Sequence, residues 1–157
     1  EFDISNLKKH FSNKDILELG RSCVHPEYRS GIILKLLWQG ISKYIKIYKI
    51  KILMGCASFN GTSPSKFKDE FSLLYKSYRL PKSYNVKSLQ DNEISSGKNI
   101  KQSTTLNRLP PLIKGYLRAG GMVSENFYID KEFETIDYCV IMLTEKIVSR
   151  YQNKFLN

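Results

Sequence analysis

Ile16-Leu17-Glu18-Leu19-Gly20-Arg21-Ser22-Cys23-Val24-His25-Pro26-Glu27-Tyr28-Arg29-Ser30-Gly31 decides how this chain folds. Ile16, Leu17, Leu19, Cys23 and Val24 give residues 16–24 the apolar content of a strand, and His25-Pro26 stops it. Tyr28 to Gly31 reads as a tight polar turn. A helix follows, because Ile33, Leu36, Leu37, Gly40, Ile41, Tyr44 and Tyr48 recur at helical spacing on one face. Lys35, Lys43, Lys46 and Lys49 fall outside that stripe. Residues 50–59 form the second clear strand; Ile52, Leu53, Met54 and Cys56 make the nearly continuous apolar run of a strand buried on both faces. Strand, turn, helix and strand together predict a parallel βαβ crossover.

Further along, Asn60-Gly61-Thr62-Ser63-Pro64 is a loop signal. Ser63 or Ser65 is placed to cap a helix over residues 66–78, with Pro64 near its first position and Phe67, Phe71, Leu74 and Tyr78 on one face. Residues 81–105 are rich in Lys, Ser, Asn and Gln and show no sustained period, which predicts a long mobile loop. Residues 106–118 read as a helix with Pro110-Pro111 at its start, ended by Ala119-Gly120-Gly121. Two strands over 122–129 and 135–143, joined at Asp130-Lys131-Glu132, precede a closing helix over 144–155 with Ile147, Val148, Tyr151 and Phe155 on its apolar face. The expected class is α/β (α+β): one domain over residues 1–157, a mixed sheet flanked by helices.

The chain has 157 residues, with 25 Lys+Arg against 15 Asp+Glu, hence a formal charge of +10. Its 41% hydrophobic content is that of an ordinary globular domain. No apolar run approaches the ~18–20 residues of a spanning helix. The sequence opens at Glu1 without a basic-then-apolar leader, so no signal peptide is read. Cys23, Cys56 and Cys139 are an odd, widely spaced set without CxxC, which argues against a disulfide framework or zinc ribbon. With His10 and His25 as the only histidines, no metal ligand set is assigned, and three reduced, buried thiols in a cytoplasmic protein are expected. Residues 29–51 hold six basic side chains and no acid, and residues 82–118 are also strongly basic. Such charge fits a solvated lysine surface or an acidic partner. Without an RNP-type aromatic motif, a zinc finger or a repeat, no nucleic-acid partner is assigned.

The turn at Arg29-Ser30-Gly31 carries the first chemical signal. Backbone N–H groups at the start of a helix are unpaired and attract anions. An ordinary βα loop has the same look. Glu18 and Arg21, two charges within a predicted strand beside that turn, need partners or a task. They fit a structural ion pair, or a carboxylate placed to take a proton from a nucleophile.

The segment from Glu18 to Gly31 resembles the central segment of the ornithine-lipid N-acyltransferases, often labelled hemolysin-like, within the wider acyl-CoA N-acyltransferase (GNAT-like) fold. The likeness continues through Leu37-Trp38-Gln39-Gly40-Ile41 and Gly55-Cys56-Ala57-Ser58-Phe59-Asn60-Gly61-Thr62. It returns at Leu109-Pro110-Pro111-Leu112-Ile113-Lys114-Gly115-Tyr116-Leu117-Arg118 and at Asp130-Lys131-Glu132-Phe133. The resemblance implies transfer of a 3-hydroxyacyl chain from acyl carrier protein to the α-amine of ornithine, giving lyso-ornithine lipid. It also implies that the N-terminal strands of that fold precede residue 16 and are almost wholly missing here, so that an incomplete sheet is expected.

Acylating an amine requires proton removal, an oxyanion donor and a thioester held in line. Glu18 is the candidate base. Arg21 is the candidate anchor for Glu18 or for the substrate carboxylate. The backbone N–H groups around Cys23 and Val24 are the candidate oxyanion donors. The resemblance places the phosphopantetheine arm of the carrier, or of acyl-CoA, on Tyr28, Arg29, Ser30 and Gly31; no permanently bound cofactor is expected. Autoinducer synthases share the Glu-x-x-Arg pattern, but Gly20 stands where they have Ser. Cys23 or Cys56 as a nucleophile, with His25 near Cys23, is a further option. Ser58 is a candidate substrate contact, with loop support as the alternative. Asp130 and Asp137 are candidates for the second amine of a diamino acid, or for turn and strand-end roles. Lys35, Lys43, Lys46 and Lys49 would dock the acidic carrier, and an anionic membrane surface is a compatible second partner. The expected location is cytoplasmic, with peripheral contact on the inner membrane face. Competing readings are another amine or an acyl-CoA donor on the same fold, and a non-catalytic basic binding module.

Overall fold

The computed structural model describes residues 1–20, 23–94 and 102–147. The βαβ unit is present. Strand β2 (Ile16–Glu18) runs parallel to β3 (Ile52–Asn60), and helix α2 (Gly31–Tyr48) connects them. Lys49 ends α2 in the left-handed conformation (φ 54°), and the N–H of Ile50 returns to the Ile45 carbonyl at 3.1 Å. That reversal sends the chain back along the sheet.

β2 is shorter than the predicted 16–24 strand. It stops at Glu18, and Cys23 and Val24 lie outside any strand. The apolar run continues past Gly20, yet the chain turns away from β3 there, so composition overstates the strand.

A short N-terminal strand, β1 (Phe2–Asp3), and helix α1 (Ser5–Lys8) precede the unit. After β3 comes a 3-10 turn, Pro64–Phe67, and then α3 (Lys68–Ser77). Pro64 takes the first turn position, but Ser63 makes no side-chain capping bond; its hydroxyl meets that of Ser65 at 3.0 Å.

Within the stretch read as a loop, residues 82–84 form a 3-10 turn and β4 (Lys87–Ser88) pairs antiparallel with β1. Asn92 and Gln90 tie this segment to the carbonyls of Phe127 and Ile129. The predicted helix over 106–118 is two helices, α4 (Gln102–Arg108) and α5 (Pro111–Arg118). Pro111 has no N–H to donate and Pro110 holds an extended backbone, so the break falls between them. Arg108 pins α4 to α3 through Asp69 (2.9 Å) and Glu70 (2.7 Å).

The predicted strand over 122–129 divides into β5 (Met122–Val123) and β6 (Tyr128–Asp130), both antiparallel to β7 (Thr135–Leu143). Residues 144–147 begin a helix; the rest of the predicted closing helix lies outside the described residues. The main sheet runs β2-β3-β7-β5, with β6 also on β7, so β2 is an edge among the described residues. This is the expected mixed sheet flanked by helices.

β3 and β7 are the spine, in register from Ile52 opposite Leu143 to Asn60 opposite Thr135. Alternation sends Leu53, Ala57 and Phe59 to one face with Ile136, Tyr138, Val140 and Met142. There they pack against Ile45 of α2, Phe71 and Leu74 of α3, and Ile113 and Leu117 of α5. The opposite face carries Ile52, Cys139 and Ile141 under Leu7, Leu80 and Val86.

The buried side of α2 differs from the predicted stripe. Trp38, Ile41 and Ile45 pack on the core, whereas Leu36, Leu37, Tyr44 and Tyr48 are exposed. The helix is apolar around more than half its girth, so periodicity alone does not select the side that meets the sheet. No helix among the described residues is long and apolar enough to cross a membrane.

Candidate functional site

In-register strand pairs bring side chains to one face. Glu18 lies opposite Met54, Cys56 opposite Cys139, and Ser58 opposite Asp137. Four chemically distinct side chains, Glu18, Cys56, Ser58 and Asp137, therefore share one face of the sheet.

β2 leaves β3 at the start of this row. The Leu19 N–H donates to the Met54 carbonyl at 2.7 Å, and the chain then departs while β3 runs on to Asn60. Gly55 sits at the branch; a Cβ there would lie 3.0 Å from the Leu19 carbonyl oxygen. Glu18 is exposed, and its carboxylate folds back over Gly20, where a Cβ would meet Oε1 at 3.2 Å. The glycine that distinguishes this segment from the autoinducer synthase pattern thus leaves space for the Glu18 carboxylate. Arg21 lies outside the described residues.

Val24 is half-buried. Of the three thiols expected to be buried, only Cys139 is; Cys23 is exposed because β2 ends before it, and Cys56 is exposed on β3. The Val24 carbonyl accepts from Arg29 Nε at 3.1 Å, which closes the connection into a compact turn. A 3-10 turn, Pro26–Tyr28, follows, and Ser30 precedes the first residue of α2 without a side-chain capping bond. Tyr28, Arg29, Ser30 and Gly31 are all exposed around that helix start. His25 approaches Glu27 at 3.9 Å and packs on the Tyr28 ring.

Cys56 and Cys139 do not favour a two-step covalent scheme. Cys56 donates to Glu1 Oε2 at 3.1 Å, and desolvation followed by that bond raises its pKa well above the ordinary thiol range. Burial pushes Cys139 up to about 12. A nucleophilic cysteine requires the opposite shift.

Ser58 is exposed, beside a buried carboxylate on the neighbouring strand. Asp137 is only 5% exposed. Desolvation raises its pKa, opposed by hydrogen bonds from Ser58 and Thr135 and reinforced by the charges of Glu1 and Asp130. Asp130 has the turn role allowed for it: its Oδ1 accepts from the N–H groups of Glu132 and Phe133 at 2.8 and 2.9 Å. Nothing in the sequence pattern points to Glu1. It arrives through the β1–β4 pairing, in which its carbonyl accepts from the Leu89 N–H at 2.8 Å. Two-residue strands leave no periodicity to find.

Lys35, Lys43, Lys46 and Lys49 are all exposed. At about 100° per residue, Lys35, Lys43 and Lys46 share one side of α2, while Lys49 is its left-handed terminus. Ile32, Leu36 and Ile47, exposed by 72%, 55% and 65%, border that basic row. A cavity of about 310 Å³ between α4 and α5 is lined by Ser103, Leu106, Asn107, Lys114, Leu117 and Arg118, none of them in the shared face.

Comparison with known proteins bears on this arrangement. Residues 1–39 match the family described as Acetyltransferase (GNAT) domain. The chain is 39% identical over 155 residues to an L-ornithine N(alpha)-acyltransferase of Brucella abortus, covering 96% of the chain and 55% of that protein. Proteins of the same name from Rhodobacter capsulatus (32%; 97% of the chain, 59% of the protein) and Rhizobium meliloti (35%; 99% and 54%) are also similar. No solved structure matches the chain. The chain spans about half the length of these curated relatives; along nearly all of its own length it is similar to proteins named L-ornithine N(alpha)-acyltransferase, and its first 39 residues match a GNAT acetyltransferase domain.

Proposed function

We propose that the protein bearing this chain transfers a 3-hydroxyacyl group from acyl carrier protein to the α-amine of ornithine, giving lyso-ornithine lipid. The observation that carries the reading is the homology to proteins of that name across 96% of the chain, including the segment that surrounds Glu18. The local geometry is compatible with it. Glu18 stands exposed where β2 leaves β3, a position open to both an incoming amine and a thioester.

In this reaction the amine nitrogen attacks the thioester carbonyl, the C–N bond forms, the C–S bond breaks, and the pantetheine thiol leaves. The ammonium must first lose a proton, and Glu18 takes it directly or through water. Backbone N–H groups at Cys23 and Val24 stabilise the developing oxyanion. Tyr28, Arg29, Ser30 and Gly31 hold the phosphopantetheine arm, with its phosphate at the start of α2. Arg21 anchors Glu18 or receives the ornithine carboxylate, and Ser58 contacts the acceptor.

The donor is a thioester in either form, acyl carrier protein or acyl-CoA. The row Lys35, Lys43, Lys46 and Lys49 favours the acidic carrier, which it would steer to the α2 turn. The exposed Ile32, Leu36 and Ile47 beside that row fit peripheral contact with an anionic membrane, where a lipid product is released on the cytoplasmic side.

The test is mass spectrometry of reactions containing ornithine and either 3-hydroxyacyl carrier protein or the matching acyl-CoA. A hydroxyacyl-ornithine mass formed faster from the carrier is expected. Transfer only from acyl-CoA discards the carrier, an amide formed only with another amine discards ornithine, and no amide with any pair sinks the acyltransferase reading.

A further inference from the structure

The Glu1, Asp130 and Asp137 carboxylates each place an oxygen within 4.8 Å of the other two. They come from three separate segments: Glu1 immediately before β1, the end of β6, and the interior of β7. Three acids this close repel one another, and the innermost is almost fully buried. Asp137 Oδ1 also has no hydrogen-bond partner. A buried carboxylate oxygen left unpaired among like charges costs stability unless a donor or cation arrives.

We infer that Asp137, with Asp130 and Glu1 around it, receives the side-chain ammonium of the diamino acid whose α-amine is acylated. This deepens the proposed function and rests on it. An alkylammonium carries three N–H donors, and the cluster offers three carboxylates. Ser58, a substrate contact on the sequence reading, lies directly across the strand pair from Asp137.

The spacing also fits. Glu18 and Asp137 flank β3 on opposite sides and are offset by the four residues from Met54 to Ser58. Strand rise and spacing put their Cα atoms roughly 16 Å apart, and the Glu18 carboxylate, folded over Gly20, leans along β2 in the direction of Ser58 and Asp137. The two amines of ornithine stand roughly 6 Å apart, across five bonds of about 1.5 Å, and a hydrogen bond at each end makes up the remainder. Held as an ammonium among carboxylates, the side-chain nitrogen has no lone pair to attack a thioester. The α-nitrogen is left as the nucleophile beside Glu18. The cluster would therefore select a diamino acid over a simple one and the α-position over the side chain. A divalent metal ion is the competing occupant of three carboxylates this close, and the calorimetry below separates the two.

The experiment compares ornithine with norvaline, the same skeleton without the second amine, as acceptors for the full-length protein. Asp137→Asn and Glu1→Gln are assayed beside the wild type. Charge-assisted hydrogen bonds of this kind are worth about 10- to 100-fold. Asp137→Asn is expected to lower kcat/KM for ornithine by about that factor, chiefly through KM, and to leave norvaline unchanged. Glu1→Gln, at an exposed position, should act in the same direction with a smaller effect and no loss of folding. Equal loss on both acceptors in both variants, or unchanged selectivity, overturns the inference.

Calorimetry with ornithine, norvaline, Ca²⁺ and Mg²⁺ provides a readout that does not need turnover. Asp137-dependent binding of ornithine over norvaline supports the subsite even if no donor is used. Asp137-dependent binding of a metal ion, with ornithine indifferent, makes it a metal site and refutes the proposal. Absence of transfer in the wild type with ornithine still bound at Asp137 would refute the acyl-transfer reading alone.

Discussion

Gly55→Ala tests how tightly the branch between β2 and β3 is set. The added Cβ would lie 3.0 Å from the Leu19 carbonyl oxygen and 3.6 Å from its carbon, and both neighbours are backbone. That carbonyl cannot easily retreat, because the Leu19 N–H is held by the Met54 carbonyl at 2.7 Å. The strands must separate by a few tenths of an ångström. Overpacking of this kind costs about 1–3 kcal/mol. Replacing a strand glycine returns about 0.5–1 kcal/mol of backbone entropy, so a net loss of roughly 1 kcal/mol is expected.

The effect on rate is larger than stability alone predicts. Glu18 is one residue from the clash, and a displacement of 1 Å at a reacting group costs about 100-fold; a shift of about 0.3 Å should cost about fourfold on the same scale. Urea unfolding supplies the stability change, and initial rates of acyl transfer supply the second quantity. Gly40→Ala is the control, since a Cβ there meets nothing within 4 Å. It should gain about 0.5–1 kcal/mol as a helix-interior replacement. The reasoning fails if Gly55→Ala matches the wild type in both unfolding midpoint and rate, or if its rate falls only in proportion to the unfolded fraction.

Two other outcomes follow from the same structure. Asp15 accepts from Lys51 Nζ and from Ser12, and these bonds lower its pKa from 3.8 to about 2. A folded-state pKa below the unfolded one gives stability that is present above pH 4 and lost as pH falls toward 2. Asp15→Asn should flatten the acid limb of an unfolding-versus-pH curve in that window; an unchanged limb would show that the ion pair contributes nothing. Cys56→Ser should keep most of the transfer rate, because the thiol is held protonated beside Glu1. A burst-phase acyl-enzyme lost in that variant would restore the covalent scheme.

The βαβ unit was legible because its two strands and connecting helix differ in period and are punctuated by Pro26, Gly31 and the end of α2. The limits of β2 were not, since residues 19–24 stay partly apolar after the pairing stops at Glu18. The orientation of α2 is not legible in the sequence for a related reason. Leu36, Leu37, Tyr44 and Tyr48 are as apolar as Trp38, Ile41 and Ile45, and only the sheet distinguishes the two sides. Pro110 and Pro111 marked a helix boundary, but not that a helix also lay before them.

The candidate site was legible as residues and not as a constellation. Glu18 stands out as a charge in a strand, and Asp137 as a single acid within an apolar run. Their common face depends on a β3–β7 register set by nine long-range pairs. Glu1 joins them through a strand of two residues, too short to leave a pattern.

The central claim is that this segment supplies the base for acylation of an ornithine amine. The most direct measurement is the rate of hydroxyacyl-ornithine formation by the full-length protein and by Glu18→Gln, quantified by mass spectrometry with 3-hydroxyacyl carrier protein as donor. Loss of a general base predicts a fall of about 10²- to 10⁴-fold in kcat, with ornithine binding retained and partial recovery at higher pH as the amine deprotonates unaided. A Glu18→Gln protein that forms the amide at the wild-type rate across pH would contradict it.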